Sequence, residues 1–285
     1  MIPAISLVTS MELLGAIFFA LLGVIIGSFL NVVILRFNTG KGSGGRSMCL
    51  SCTKQLTWTE LLPVVSFFAL GRRCRECKSK LSWQYPLVEL TTAALFLVIF
   101  YIQLPLLYAG SILFFCVTTG LLLVIWSMFV VVFVYDLYHK IIPNQLAYSL
   151  AVFAFVYRMI LIPYETWMTT PVLLDICAGF IFFIPFWFLW RISRGAWIGL
   201  GDGKLALSIG WLLGFVTGAS AIILAFWIGA LVGVGLLLIS KLNKSFANIT
   251  MKAEIPFAPF LIIGTLLGFI APMDFFGFDL LFSLF

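Results

Sequence analysis

The sequence predicts an all-α polytopic membrane protein, with about eight transmembrane helices and a long cysteine-bearing loop between the first and second. Three observations predict it. Of 285 residues, 63% are apolar and only 10% charged. Several apolar runs approach or exceed the ~20 residues needed to cross ~30 Å of hydrocarbon. The cations, finally, gather on alternate connections between those runs. Lipid offers the backbone no hydrogen-bond partners, so runs of this length must be helices.

The expected spans are 12–36, 86–103, 107–135, 144–162, 172–191, 203–217, 219–240 and 256–272. The sixth is short, and Gly218 is the expected turn into the seventh. Leu61–Leu70 is too short to cross and contains Pro63, so it is read as a surface or re-entrant segment. The tail 275–285 is also too short. No cleavable signal peptide is expected, because the first run is long and no basic residues precede it.

Placing the N-terminus outside puts 36–85, 136–143, 191–204 and 241–255 on the inner face. Of 17 Lys and Arg, 16 then lie inside, and only Arg158 falls outside. That split matches the positive-inside rule. Topology and lipid headgroups account for the net charge of +6, and no aromatic–basic interleaving suggests nucleic acid.

Two acids stand at the mouths of apolar runs, where a charge is costly. Asp136 closes Leu104–Tyr135 and Asp202 opens Gly203–Phe215. On the topology above both emerge at the inner face. An ionisable residue at a membrane helix end marks a functional site, and two carboxylates able to share a proton suggest aspartyl-protease chemistry. Asp202 sits in Gly199-Leu200-Gly201-Asp202-Gly203-Lys204, whose glycines permit tight backbone and leave room for a second chain. The bland alternative is that Asp202 caps its helix. Pro143 and Asn144 mark the start of the fourth helix.

The first inner loop carries Cys49-Leu50-Ser51-Cys52 and Cys74-Arg75-Glu76-Cys77. Two Cys-x2-Cys knuckles at that separation form a tetrathiolate zinc signature, structural because all four ligand positions are filled. Arg72, Arg73, Arg75, Lys78 and Lys80 favour thiolates. A disulfide is the competing reading, disfavoured in a reducing cytoplasm. Cys116 and Cys177 read as small hydrophobes within apolar spans. His139 is the only histidine, so no multi-His metal site can form, and it reads as an interfacial side chain.

Among the remaining acids, Glu12, Glu165, Asp175, Asp274 and Asp279 read as solvated loop or helix-end residues. Glu60 and Glu76 belong to the basic loop. Glu89, early in the second span, could pair with a loop cation or serve the loop's own chemistry.

These pieces resemble, in order and along almost the whole chain, the type IV prepilin peptidases. Those are bifunctional leader peptidases and N-methyltransferases of type IV pilus and type II secretion systems. The matching stretches are Gly27-Ser28-Phe29-Leu30-Asn31-Val32-Val33 with Arg36, the two cysteine pairs, and Tyr85-Pro86-Leu87-Val88-Glu89. They continue with Asp136 and Ile142-Pro143-Asn144, the Gly-x-Gly-Asp stretch, and Ile255-Pro256-Phe257-Ala258-Pro259-Phe260. The resemblance implies a catalytic dyad of Asp136 and Asp202 and a loop linked with methylation by S-adenosylmethionine. It divides the chain into 1–36, a first transmembrane helix; 37–85, a cytoplasmic zinc-binding loop domain; and 86–285, a transmembrane aspartyl protease domain. It also implies residence in the cytoplasmic membrane.

The chemistry needs no metal or covalent intermediate. Two adjacent carboxylates cannot both ionise cheaply, so the ionised one takes a proton from water while the protonated one donates to the oxyanion. The resemblance implies a prepilin or pseudopilin substrate, with a basic leader before an apolar helix. Glu60, Glu76, Glu89 and Glu254 are the inner-face acids available to receive such a leader. No glycine-rich dinucleotide fingerprint offers a donor site, so methyl transfer rests on the resemblance. The rivals are a peptidase that does not methylate, a proton-coupled transporter and a zinc-loop scaffold.

Overall fold

A computed structural model of the chain describes residues 2–38, 45–49, 51–242 and 256–277, with side chains from residue 10 to 240 and beyond 255 within those ranges. The helices are α1 (Ile2–Arg36), α2 (Val65–Ala69), α3 (Gln84–Tyr108), α4 (Ile112–His139), α5 (Asn144–Leu161), α6 (Thr170–Ser193), α7 (Leu200–Leu213), α8 (Phe215–Leu242) and α9 (Ala258–Ile270). Among the described residues there are no strands, only two isolated bridges in the cysteine loop. All eight expected spans are helical. Six are long and apolar enough to cross a membrane, while α7 and α9 are shorter.

The chain forms two compact units, Met1–Val131 and Val132–Phe285. In the first, α1 packs along α3. A Cβ at Gly23 would stand 2.6 Å from the Ala93 Cα, and one at Gly27 2.7 Å from the Glu89 Cα. Small residues four apart thus let the two backbones touch, which is how helices associate where lipid removes the hydrophobic drive. Phe19 stacks on Phe100 beside this seam, at 5.0 Å between ring centroids. The opposite face of α1 leaves Leu14, Phe18, Leu21 and Ile25 exposed, as a lipid-facing surface should. The segment 61–70 follows a 3₁₀ turn at Trp58–Leu61 and holds only the five-residue α2, in keeping with a segment too short to cross.

In the second unit the shortest of these helices but one is the most enclosed. Neighbours α5, α6, α8 and α9 all pack on α7, and Leu205, Ala206, Ser208 and Ile209 are fully buried. Fourteen residues rise only about 21 Å, so both ends of α7 need partners for their free backbone groups. At its C-terminus Arg158 of α5 donates to the Trp211 and Leu212 carbonyls. Arg158 also pairs with Asp175 of α6 at 3.4 Å, and Asp175 accepts the Phe215 N–H that opens α8. The lone cation outside the charge split is therefore a helix cap, and Asp175 is part of that junction rather than a solvated acid. The turn falls at Gly214 (φ +79°), and Gly218 lies inside α8.

Candidate catalytic and metal sites

Asp136 lies one turn before the end of α4 and is 5% exposed. Its carboxylate accepts the Ala258 N–H, the first of α9, while Oδ2 is buried with no hydrogen-bond partner among the described residues. Asp202 lies in the first turn of α7 and accepts the N–H of Gly199, the residue that precedes the helix. Each carboxylate thus meets the positive end of a helix dipole. The charge of Asp136 also acts directly on Asp202, so acids from two separate helices share one site.

Three local features bring them together. Pro143 holds extended backbone (ψ 131°) and starts α5 at Asn144, as its ring predicts. Ile142 then lies against Gly201, where a Cβ would come within 3.0 Å of it. Lys204 donates to the Asn144 carboxamide and lies 4.7 Å from the Tyr148 ring, tying the start of α7 to the start of α5. The glycines of this stretch therefore serve packing: Gly203 likewise faces Phe186 at 3.1 Å, and only Gly199 has space beside it. The capping alternative is half right, since Asp202 bonds back to the Gly199 N–H in the manner of a capping-box acid. The His139 ring lies tilted against Tyr135, with 4.4 Å between ring centroids.

The residue that sequence reasoning missed is Ala258. Its amide, not a side chain, holds Asp136. Pro259 in the first turn of α9 was the available signal, because proline there marks a helix N-terminus and hence a donor array.

In the cysteine loop the two knuckles are copies of each other. The Cys49 N–H bonds the Lys54 carbonyl and the Thr53 N–H the Cys49 carbonyl, each at 2.9 Å. Cys74 repeats the pattern with Ser79 at 2.9 Å and Lys78 at 3.1 Å. Thr53 and Lys78 both turn through positive φ, at 58° and 57°. All four sulfurs lie within 4.8 Å of one another, with Cys49–Cys77 at 3.8 Å and Cys52–Cys74 at 4.0 Å. Zinc–sulfur bonds of about 2.3 Å in a tetrahedron place sulfurs about 3.8 Å apart, whereas a disulfide needs about 2.0 Å. The donor set fits a metal ion, and all four thiols are free. Hydrogen bonds from the Cys52 and Ser51 amides pull the Cys49 thiol down to about 6. The Ser79 hydroxyl lowers Cys77 as well. Cys52 rises to about 11, the bond from Lys54 being outweighed by burial and the neighbouring sulfurs.

The loop's acids are engaged. Glu60 accepts the Thr57 N–H at 2.8 Å and its hydroxyl at 3.0 Å, and Lys54 bridges Glu60 and Glu76 at 3.8 and 3.3 Å. Glu89, 5% exposed, accepts the Val64 N–H at 2.6 Å and the Ser28 hydroxyl. Leu50, Glu254, Ile255 and Asp279 lie outside the described residues. Cys116 and Cys177 are exposed on α4 and α6, among apolar neighbours in sequence.

The family model described as Bacterial Peptidase A24 N-terminal domain matches residues 21–103, and that of the Type IV leader peptidase family matches 121–234. A protein of Bacillus subtilis (strain 168) named prepilin leader peptidase/N-methyltransferase is 32% identical over 228 residues, covering 79% of this chain and 81% of its own. One of the same name from Vibrio cholerae is 29% identical, covering 72% of this chain and 79% of its own. Another, from Burkholderia pseudomallei, is 26% identical over 91% of this chain and 85% of its own. No solved structure matches the chain.

Proposed function

The chain belongs to the type IV leader peptidase family, and from that premise we propose that it cuts the basic leader from a type IV prepilin or pseudopilin. It then N-methylates the newly exposed residue with S-adenosylmethionine as donor. Asp136 and Asp202 are the cleaving dyad. The observation that carries this is their convergence: two acids on separate helices, each held at a helix N-terminus, with one buried oxygen left unbonded.

The partly bonded Asp136 has an oxygen free to take a proton from the attacking water or to hand one over. Asp202, anchored through Gly199, is its partner in that exchange. The two helix N-termini stabilise the single negative charge that the pair shares. Cleavage thus needs neither metal nor acyl-enzyme.

In the second reaction the donor is a co-substrate. The lone pair of the new terminal amine takes the methyl group, the C–S bonding pair stays on sulfur, and the amine releases a proton. Residues 37–85 form the part linked with this step, and Cys49, Cys52, Cys74 and Cys77 hold a zinc ion. When bound, zinc crosslinks the two knuckles. The protein spans the cytoplasmic membrane with its N-terminus outside, so loop and dyad both meet the cytoplasm. The charge split of the sequence supports this orientation.

The test uses the full chain in detergent with a prepilin bearing a basic leader, with S-adenosylmethionine present. Mass spectrometry should show cleavage after the leader and a gain of one methylene on the product. Asp136→Asn and Asp202→Asn should each abolish cleavage. Normal cutting by either variant would sink the dyad and place the cutting chemistry on other residues. No cutting by the parent would sink the peptidase reading and return the proton-coupled transporter.

A further inference from the structure

The first unit contains a cavity of about 830 Å³, walled by α1, the cysteine loop and the start of α3. That volume lies within the usual range for small-ligand sites, about 300–1,000 Å³. Its walls are chemically mixed. Glu60 and Glu89 supply carboxylates, five cations including Arg36 and Arg73 surround them, Asn31 adds a buried carboxamide, and Phe67 and Tyr85 add flat aromatic faces.

Glu89 is the informative member. It is buried, and it is bonded to the Val64 N–H and the Ser28 hydroxyl. Among the described residues it has no ion pair with a cation. A buried carboxylate without a counter-charge is costly and attracts a cationic ligand. The geometry around it is also maintained at a cost, because Val64, a β-branched residue, is held at φ +58° by the segment that Glu89 clamps.

We infer that this cavity binds the methyl donor, S-adenosylmethionine, with its cationic sulfonium end drawn by Glu89. The inference rests on the methyl-transfer reading above. Glu60 is already held by Thr57 and Lys54, so the ligand's groups divide as sulfonium to Glu89, carboxylate to the cations of the wall, and flat adenine to Phe67 and Tyr85. An extended basic leader would satisfy Glu89 but be opposed by all five cations of the wall.

The experiment is calorimetric titration of the zinc-loaded full chain in detergent with S-adenosylmethionine and, separately, with S-adenosylhomocysteine, which lacks the sulfonium charge. Glu89→Gln keeps an acceptor for the Val64 N–H but removes the charge. It should weaken S-adenosylmethionine binding about tenfold or more and S-adenosylhomocysteine binding less. Val32→Trp, filling the cavity from α1, should weaken both. Unchanged circular dichroism and zinc content establish that the variants are folded. If the parent binds the donor and both variants bind it equally well, the cavity assignment is wrong while methyl transfer stands. If a basic leader peptide displaces the donor, the cavity belongs to the substrate instead. If the parent binds neither compound and its product gains no methylene, the methyl-transfer reading fails and takes this assignment with it.

Discussion

In the cysteine loop, each cysteine pair is set by backbone hydrogen bonds that reach no further than nine residues along the chain. Asp136 and Asp202 are instead placed by four helices, α4 and α9 for the first, α7 and α5 for the second. The loop has little apolar material beneath it, with Phe67 and two cysteines among its few buried apolar side chains. A metal ion held by the four cysteines would therefore add to its order, as in metal-stapled folds. The aspartate site rests on α7, where nine of fourteen residues are buried and none is exposed, and helix packing preorganises it. Locally written sites need a staple, and sites written across helices need packing.

The largest effect that sharpens this contrast comes from the acids themselves. Asp136→Asn and Asp202→Asn should each reduce cleavage by about 10³-fold or more, with helix content and thermal melting unchanged. Stripping zinc by chelation, or replacing Cys49 and Cys77 with serine, should remove metal and methyl transfer together. Cleavage should persist at a reduced or normal rate. Cleavage lost as completely as in the aspartate variants would break the contrast and make the loop part of the cutting machinery.

How much of this was legible in the sequence follows the same division. The cysteine quartet could be read because spacing alone specifies the knuckles. The aspartates could be flagged because a charge at a helix end in an apolar run is costly wherever its partner lies. The Arg158 cap and the Val64–Glu89 bond were not readable, since each joins residues distant in sequence through a backbone group that carries no side-chain signature. Pro259 marked the Ala258 amide as a helix-start donor but not as the partner of Asp136. Gly214 and Gly218 were indistinguishable for a related reason: both can turn, and only the Arg158–Asp175 pair decides which does. Glu89 was singled out but unassigned, because its partner is an amide rather than a cation.

The junction at the far end of α7 offers the next test. Arg158→Ala would leave two helix carbonyls and Asp175 without their partner, costing about 2–3 kcal/mol of stability. Gly214→Ala should cost about 1–2 kcal/mol, because φ is +79° and the new Cβ would lie 2.5 Å from an Arg158 nitrogen. Both should lower cleavage by shifting α7, while zinc content stays at the parent level. Denaturant titration in detergent with parallel metal analysis separates the two. Loss of zinc in either variant would mean the two units are coupled.

The smallest effect belongs to the loop. The Thr57 amide, aided by its hydroxyl and by Lys54, holds the Glu60 carboxyl below its usual 4.5. A carboxyl lowered in the folded state contributes stability above its unfolded value and loses it as pH falls through the folded one. Glu60→Gln should therefore destabilise the 57–61 turn at neutral pH by about 1 kcal/mol, a fivefold loss of Thr57 amide protection. Below the folded value the variant and parent should exchange alike, since both then present an uncharged side chain. Hydrogen exchange of the two proteins, compared at each pH, reads this directly, because the intrinsic pH dependence of exchange cancels. A difference that persisted undiminished into acid would mean that Glu60 acts through shape rather than charge. Loop order would then depend on packing after all, as it does around α7.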